Sequence, residues 1–231
     1  MISVVIPTYN EKENIKKLVP RIFSILDNAE VIIVDDNSLD GTRDIIKTLQ
    51  KKYNIKLIER PEKLGIGSAY KTGFRAARGD IIFEMDADLS HNPDFMQNFI
   101  DTIKSGYDVA VGSRYIKGGS IKGWGIYRKS VSKTANTLSR LLLKINVSDV
   151  TTGFRAYRKS ALSSIDLDEI KSDGYSFQLE ILFKLFKKGY KIKEIPIIFE
   201  DRKAGESKLA RKEMLNYIGT VLRLMFYAEE K

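Results

Sequence analysis

The chain has 231 residues, 43% of them hydrophobic and 10% aromatic, which is enough to bury one substantial core. It has no cysteine and one histidine, His91, so disulfide frameworks, thiolate metal sites and multi-histidine zinc sites are excluded, and Ser-His-Asp catalysis is disfavoured. A formal net charge of +9 predicts an anionic partner, such as nucleic acid, a membrane surface or a phosphorylated substrate.

The first half alternates short apolar runs with amphipathic stretches, and it opens into an apolar run with no signal-peptide pattern before it. Strands are predicted over residues 2–7, 30–36, 55–60, 80–86 and 107–114. Helices are predicted from Glu11, over 44–53, after Gly67 and after Pro93, the first with Asn10 as N-cap and Glu13 completing a capping box. Apolar strands that alternate with helices predict an α/β fold with a mostly parallel sheet and helices on both faces.

Polar residues follow several of these strands. In parallel sheets, ligands bind beyond the carboxyl ends of the strands, where residues 7–11, Asp35, Asp36 and residues 86–90 are expected to lie. Asp86 and Asp88 are two residues apart, so on an extended chain both carboxylates face one point, as a hard divalent cation requires. The alternative is that the two acids cap the helix that starts near Pro93.

Asp35 and Asp36 end the second strand, as in sheets where an acid hydrogen-bonds the base or ribose of a nucleotide. Receiver domains also carry the sequence IVDD at the end of a strand. They are about half as long as this chain, which argues against that class of protein. A dinucleotide-binding fold would need GxGxxG after its first strand, whereas LGIGSAYKTG follows the third strand and lacks the third glycine. Gly65 and Gly67 are instead expected to let the backbone pass close to a ligand or a neighbouring helix.

The second half contains a basic stretch. Between Val109 and Ser148 there is no Asp or Glu. The basic residues there are Arg114, Lys117, Lys122, Arg128, Lys129, Lys133, Arg140 and Lys144. A solvated helix face normally mixes both signs, so this stretch is expected to meet an anion, with a merely soluble basic surface as the alternative.

The second half is less regular than the first. A Gly-rich loop is predicted over 115–129, a basic amphipathic helix from there to about Lys144, a helix over 175–189, a strand near 192–199 and a final helix after Gly205. The last apolar stretch, 215–228, would span roughly 21 Å as a helix, against roughly 30 Å for a hydrocarbon core, so it is not expected to cross a bilayer. It could pack on the domain, lie in a membrane interface or dock on a membrane partner.

These features together predict group transfer from a nucleotide diphosphate donor. A divalent cation would neutralise the charge that develops on the departing nucleoside diphosphate. A hydroxyl acceptor would need a general base, whereas a phosphate acceptor is already ionised and would need only arginines to position it. The basic stretch favours the phosphate.

A series of motifs makes the chain recognisable. In order they are VVIPTYNEKENI, VIIVDDNSLDGT, LGIGSAYKTGF, MDADLSHNPDF, GSRY, GWGIYRK, TTGFRAYRK, GYSFQLE and DRKAGESKL. They resemble the inverting family-2 glycosyltransferases of GT-A fold, and among these the members that act on polyprenyl phosphates without transmembrane helices. The resemblance spans Ile2 to about Tyr217. It implies one GT-A catalytic domain over 1–231, with a nucleotide-binding half (1–105), an acceptor half (106–210) and a C-terminal amphipathic helix (211–231).

The resemblance implies transfer of mannose with inversion from GDP-mannose to dolichyl (polyprenyl) phosphate, giving dolichyl β-mannosyl phosphate and GDP, with Mg²⁺ or Mn²⁺ as cofactor. The residues that it assigns to the nucleotide sugar are Pro7, Tyr9, Glu11, Val34, Asp36, Gly65 and Asp86. Asp86 and Asp88 would bind the metal. The acceptor and phosphate groups would meet Arg114, Arg128, Ser132, Arg202 and Lys208, and the catalytic residues would be Asp88, Arg114 and Arg202. Gly153 and Arg155 would shape the floor of the site, and Gln178 and Glu180 would face it.

Two features depart from the family pattern. Ser90 stands where some members carry a glutamine metal ligand, and the C-terminal transmembrane helices of many members are missing. The chain is therefore expected to sit peripherally on the cytoplasmic face of a membrane, with a small membrane subunit as a possible partner. Trp124, Ile126, Tyr127 and apolar positions of the helix over 130–145 would enter the interface, among lysines that meet anionic headgroups. The alternative is that Trp124 and the Leu141 to Leu143 run pack in the core.

Two other functions remain open from the sequence. One is a polyprenyl-phosphate glucosyltransferase that uses a UDP-sugar, because base and sugar selection depend on few contacts. The other is a non-catalytic nucleotide-binding or nucleic-acid-binding module. The intact Asp86 and Asp88 pair argues against loss of catalysis, and the aromatic spacing of RNA-binding sheets is absent, so no nucleic-acid partner is expected.

Overall fold

The computed structural model describes residues 1–201 and 211–229, which form an α/β fold. The strands are β1 (Ile2–Thr8), β2 (Ala29–Asp35), β3 (Ile55–Glu59), β4 (Ile81–Glu84), β5 (Val109–Ser113), β6 (Ser120–Lys122), β7 (Arg155–Arg158), β8 (Ile192–Pro196) and β9 (Ile198–Glu200). Seven of them form one sheet in the order β3-β2-β1-β4-β7-β5-β8, and β6 pairs with β9 in a separate parallel ribbon. In the large sheet β7 runs antiparallel to β4 and β5, whereas the other pairs are parallel.

The helices lie on both faces of this sheet. They are α1 (Lys12–Ile25), α2 (Thr42–Leu49), α3 (Ile66–Ala76), α4 (Met96–Lys104), α5 (Ile126–Leu143), α6 (Lys159–Ser163), α7 (Tyr175–Lys187) and α8 (Arg211–Glu229). Among the described residues, no helix combines the length and apolar character needed to span a bilayer.

Alternate strand residues enter two hydrophobic cores, one on each face of the sheet. On β1, Val4 and Ile6 pack in one core with α1, α2 and α4, and Val5 packs in the other with α3, α7 and α8. This double burial explains why the strands are continuously apolar rather than alternating. The predicted mostly parallel sheet, covered on both faces, is confirmed.

Several local predictions were wrong. Asn10 does not cap α1: it lies outside the helix with φ 58°, and its side-chain oxygen accepts from the Leu39 N–H at 3.0 Å. Helix α5 begins within the predicted loop over 115–129, which also contains β6. The single strand predicted near 192–199 is two strands, β8 and β9, which belong to different sheets. Strand β7 lies inside a motif for which no strand was predicted.

Helix α8 is anchored to the domain by one of its faces. Val221 and Leu224 are buried in the core, and the Tyr217 hydroxyl lies 2.8 Å from the Ser139 hydroxyl on α5. Arg223 donates to both carboxylate oxygens of Glu180 on α7, at 2.7 and 3.1 Å. The predicted orientation of Glu180 toward the site is therefore wrong, because its carboxylate faces α8.

Candidate active site

A cleft of about 470 Å³ opens at the carboxyl ends of β1, β2 and β4. Its lining includes seven residues that the sequence assigned to the donor and the metal, namely Pro7, Tyr9, Glu11, Asp36, Gly65, Asp86 and Asp88. Parallel strands bring these separate segments to one edge of the sheet, which is why they converge. Val34 is different: its side chain is fully buried in the core and does not line the cleft.

The two acids at the end of β2 have separate environments. Asp35 is buried beneath the cleft, where it accepts from Ser38 and from Arg43 Nε at 2.7 Å. Burial raises the pKa of Asp35, but these hydrogen bonds outweigh it and leave the pKa below its usual value. Asp36 lines the cleft and is paired with the buried Arg60. Asp36 is therefore the acid of this pair that a nucleotide could reach.

Gly65 and Lys63 line the entrance to the cleft. Gly65 has φ 92°, and a Cβ atom there would lie 2.2 Å from Asp173 Oδ2, so the backbone requires glycine. Lys63 Nζ lies 4.0 Å from the centre of the Tyr9 ring. Lys63 was not predicted from the sequence, because a single lysine in a loop forms no pattern, although its position next to the Gly-rich segment was a usable signal.

The side chains around Asp86 hold its carboxylate in one orientation. The buried Tyr70 hydroxyl donates to Asp86 Oδ1 at 3.0 Å, and the main-chain N–H of Asp86 donates to His91 Nδ1 at 3.1 Å. His91 is itself buried and stacks on Phe154 with ring centres 5.1 Å apart. A Cβ atom at Gly153 would lie 3.4 and 3.5 Å from the two carboxylate oxygens of Asp86, so glycine leaves this space open.

Asp86 and Asp88 have the chemistry that a hard divalent cation needs. Mg²⁺ is typically bound by one or two carboxylates together with substrate phosphates and water, and both carboxylates line the cleft. No cluster of three or more His, Cys, Asp or Glu side chains suited to a metal occurs among the described residues. Asp88 accepts from the Ser90 N–H at 3.0 Å, and the Ser90 side chain is buried.

A buried polar network forms the floor beneath Asp86 and Asp88. Glu84 accepts from the Tyr157 hydroxyl at 2.7 Å and from Gln178 Nε2 at 2.8 Å. Burial raises the pKa of Glu84 to about 7, although the charge of Arg155 opposes the shift. Arg155 is fully buried and donates to the main-chain oxygens of Gln178 and Val150 at 2.6 and 2.8 Å. Arg155 thus supports the floor from below, while Gly153 and Gln178 line the cleft itself.

A second, more apolar pocket lies next to the cleft, between α5 and α8. The two cavities share Thr151, Tyr175 and Glu213. The pocket is lined by three residues assigned to the acceptor, Arg114, Arg128 and Ser132, and by the apolar groups of Val131, Ala135 and Met214. A phosphate at this junction would adjoin the donor cleft, and an attached apolar chain could follow the pocket.

The cations of this pocket already have anionic partners. Arg114 is buried and forms a bidentate pair with Asp149, at 2.6 and 2.7 Å. The charge of Asp149 helps to raise the pKa of Arg114 against the effect of burial. Arg128 Nη1 lies 3.1 Å from both carboxylate oxygens of Asp201, and its guanidinium stacks on Trp124, 3.9 Å from the ring centre. Trp124 therefore lines the pocket rather than pointing outward, unlike the prediction that it enters a membrane.

Two of the assigned residues, Arg202 and Lys208, lie outside the described residues. Besides Lys63, the sequence did not point to Tyr70, Asp149 and Glu84, which contact Asp86, Arg114 and Gln178. Glu84 carried a signal, since it is a charged residue at the end of the apolar strand β4.

The chain is similar to characterised families over most of its length. Residues 3–166 match the model of glycosyl transferase family 2. A dolichol-phosphate mannosyltransferase of Pyrococcus furiosus is 42% identical over 99% of this chain, and a polyprenol monophosphomannose synthase of Mycolicibacterium smegmatis is 40% identical over 90% of it. The alignments span 65% of the Pyrococcus protein and 80% of the Mycolicibacterium protein.

Solved structures agree at the level of the fold. Glucosyl-3-phosphoglycerate synthase from Mycobacterium tuberculosis, in complex with Mn²⁺, UDP-glucose and glycerol 3-phosphate, superposes with a TM-score of 0.73 at 20% identity, covering 97% of this chain and 80% of that one. Its complex with phosphoglyceric acid gives a TM-score of 0.74 over the same shares of the two chains. The fold is that of the GT-A glycosyltransferases. The chain belongs to glycosyltransferase family 2.

Proposed function

We propose that this protein transfers mannose from GDP-mannose to dolichyl or another polyprenyl phosphate, with inversion at the anomeric carbon. The single observation that carries the proposal is the junction of two cavities: a polar cleft with a carboxylate pair adjoins an apolar pocket that contains Arg114, Arg128 and Ser132. The two relatives, a dolichol-phosphate mannosyltransferase and a polyprenol monophosphomannose synthase, support the same acceptor and sugar.

The acceptor needs no general base in this reaction. A phosphate monoester is ionised at neutral pH, so one of its oxygens can attack C1 of the sugar directly while the bond from C1 to the GDP oxygen breaks. The protein must instead hold the phosphate in line with that bond, which is a positioning task. Arg128, Ser132 and the outer N–H groups of Arg114 are the candidates in the described residues.

The pairing of both arginines has a consequence for phosphate binding. Asp149 and Asp201 partly neutralise the two arginines of the pocket. A phosphate would therefore be bound mainly by N–H donors already held in position, and less by a large net positive charge. A polyprenyl phosphate must also leave the site after it has gained its sugar, and moderate binding permits that release.

Asp86 and Asp88 are the residues that would hold a divalent cation. The cation would neutralise charge on the GDP leaving group. Tyr70 and His91 keep Asp86 in place for this role, and Asp36 and Tyr9 lie where the nucleoside would extend toward β2.

The deciding experiment is a transfer assay with Mg²⁺ or Mn²⁺, in which radiolabelled GDP-mannose and, separately, UDP-glucose are offered to dolichyl phosphate. We expect label from GDP-mannose to enter the lipid phase, and Asp88→Ala to abolish the transfer. Transfer from UDP-glucose alone would overturn the assigned donor and keep the acceptor. Binding of GDP-mannose without any turnover would favour a non-catalytic nucleotide-binding module.

We further propose that the protein sits peripherally on the cytoplasmic face of a membrane. Ile126 and Tyr127 are 86% and 79% exposed at the start of α5. The outer face of α8 exposes a stripe of apolar side chains at helical spacing, formed by Leu215, Ile218, Leu222 and Phe226. Exposed lysines on α5 could meet anionic headgroups, each contributing about 1 kcal/mol near the surface. The same stripe is where a small membrane subunit could dock.

Co-sedimentation with vesicles that contain anionic lipid tests this location. The variant Leu215→Ser, Phe226→Ser should lose most of its binding, because both side chains are exposed and neither packs in the core. Leu39→Ser is the matched control, since Leu39 is 85% exposed but lies in the donor half. Equal binding by the double variant and the control would refute the membrane-facing role of α8.

A further inference from the structure

Gln178 lies on the floor of the donor cleft, near the start of α7. Its side chain lines the cleft together with Asp86 and Asp88, and only 4% of the residue is exposed. It is therefore close to the place where a metal-bound diphosphate would carry its sugar.

The carboxamide of Gln178 is held in one orientation from below. Its Nε2 donates to one oxygen of Glu84, and the Tyr157 hydroxyl donates to the other oxygen. The NH₂ group of the carboxamide therefore lies toward Glu84, and its oxygen lies on the other side, away from that contact. Arg155 fixes the backbone as well, through its 2.6 Å hydrogen bond to the Gln178 carbonyl.

The carboxamide oxygen of Gln178 is left without a partner. It is buried, and no donor within residues 1–201 and 211–229 reaches it. Buried polar atoms are almost always paired, because an unpaired one loses its hydration without compensation. A buried, fixed and unpaired acceptor on the floor of a binding cleft indicates that a ligand supplies the donor.

The chemistry of a nucleotide sugar narrows the choice of donor. The diphosphate carries no N–H or O–H group at neutral pH, and water bound to a divalent cation would be present with GDP as well as with GDP-mannose. The N–H groups of the base belong near Asp36, at the end of β2, whereas Gln178 lies beside the end of β4 through its contact with Glu84. The donors that only the nucleotide sugar would bring near Gln178 are the hydroxyls of its hexose.

We propose that the side-chain oxygen of Gln178 accepts a hydrogen bond from a hydroxyl of the hexose that the donor carries, and that this contact selects among nucleotide sugars. The inference rests on the proposed function, since it requires a nucleotide-sugar donor. Glu84 and Tyr157 are positioning residues, because they act on the sugar through Gln178.

The test compares GDP with GDP-mannose, which differ by the hexose. Dissociation constants are measured by calorimetry with Mn²⁺ at one fixed pH for all variants. Gln178→Met keeps the length of the side chain and removes the acceptor. We expect the affinity for GDP-mannose to fall about tenfold, as for loss of one buried hydrogen bond, while the affinity for GDP stays within about twofold.

Gln97→Met, on the exposed surface of α4, is the matched control and should change neither constant. An equal loss of both affinities in Gln178→Met would overturn the proposal, because Gln178 would then touch the nucleotide or only support the floor. An unchanged affinity for GDP-mannose would also overturn it. If the wild-type protein binds UDP-glucose instead of GDP-mannose, the proposed donor fails, and the comparison of UDP with UDP-glucose tests Gln178 in the same way.

A series of monodeoxy GDP-mannose analogues identifies the hydroxyl. One analogue should bind the wild-type protein about tenfold more weakly than GDP-mannose, and Gln178→Met should show no such preference. The loss of affinity caused by Gln178→Met and the loss caused by removing one hydroxyl could instead be fully additive at every position of the sugar. That result would contradict a direct contact between Gln178 and a hydroxyl.

Discussion

The donor cleft and the pocket between α5 and α8 are built in different ways. In the donor cleft, most functional side chains follow directly after strands, and hydrogen bonds such as Tyr70 to Asp86 fix them further. In the pocket, most side chains come from α5, α8 and connecting segments, and Arg114 directly follows β5. Strand ends therefore place charges in both cavities, but in the pocket the two arginines are also held by ion pairs with Asp149 and Asp201.

The two cavities should therefore tolerate substitutions differently. The cleft can keep its shape when a charge at its surface is removed, because the sheet beneath it is fixed by two cores. The pocket depends on buried pairs, so removing one partner affects both binding and folding. Four substitutions test this difference between the two cavities and the contacts that support them.

The largest effect is expected at Asp88, which the proposed function assigns to the metal. Asp88→Ala should lower the transfer rate by on the order of 10³-fold, because the cation would lose one of the two carboxylates proposed to hold it. The free energy of unfolding should stay close to that of the wild-type protein. Transfer assays and urea denaturation measure the two quantities, with Asp101→Ala on the surface of α4 as the control. A loss of activity below tenfold would contradict the assignment of Asp88.

The second effect is a loss of stability in the acceptor half. Asp149→Ala leaves the buried Arg114 guanidinium without its partner and should lower the free energy of unfolding by about 3–5 kcal/mol. Asp168→Ala breaks the exposed pair with Arg75 and should cost about 0–1 kcal/mol. Urea denaturation compares the two variants. A similar loss of unfolding free energy in the two variants would mean that the ion pair between Arg114 and Asp149 does not stabilise the pocket.

The third effect concerns the orientation of Asp86. Tyr70→Phe removes a hydroxyl that donates to Asp86, and partners of this kind typically change metal affinity by about 10-fold to 100-fold. We expect the dissociation constant for Mn²⁺ in the presence of GDP to rise by about tenfold. Tyr217→Phe, which alters the other pocket, should leave it unchanged. The same dissociation constant for Mn²⁺ in Tyr70→Phe and in Tyr217→Phe would show that the Tyr70 hydroxyl does not orient Asp86 for metal binding.

The smallest effect is a loss of stability at the contact between α8 and α7. The hydrogen bonds of Arg223 and Ser172 lower the pKa of Glu180, although burial opposes them. A depressed pKa in the folded state contributes stability above the unfolded pKa, and this contribution is lost as the pH falls through the folded pKa. Glu180→Gln should therefore cost about 1 kcal/mol at pH 7, because Arg223 is partly exposed, and almost nothing at strongly acid pH. Urea denaturation at pH 7 and at strongly acid pH measures the free energy of unfolding of the variant and of the wild-type protein. An equal loss of unfolding free energy at the two pH values would contradict the assignment of this contribution to the ion pair between Arg223 and Glu180.

Much of the donor half could be predicted from the sequence because its signals are local. An apolar run followed by acids identifies a strand end, and parallel strands place their ends at one edge, so Asp36, Asp86 and Asp88 were expected together and do line one cleft. Val34 shows the limit of this reasoning. It neighbours the site in sequence, but it lies within β2 and points into the core.

The acceptor half was less predictable because its contacts join distant segments. The contacts between Arg114 and Asp149 and between Arg128 and Asp201 connect residues 35 and 73 positions apart. The sequence indicated a basic stretch without acids, and the acids that pair with it come from outside that stretch. Trp124 was expected at the surface for the same reason, since the partner that covers it, Arg128, is visible only in the folded chain.

The alternating strands and helices, the convergence of acids at one sheet edge and the family of the chain could all be inferred from residue order. These features depend on local hydrophobic patterns and on contiguous motifs. Three other features became visible only in the folded chain: both arginines of the pocket are paired, Glu180 faces α8, and Gln178 keeps an unpaired oxygen in the cleft. The physical reason is that a hydrogen bond or ion pair depends on the distance and direction of two side chains, which chain folding sets and residue order does not.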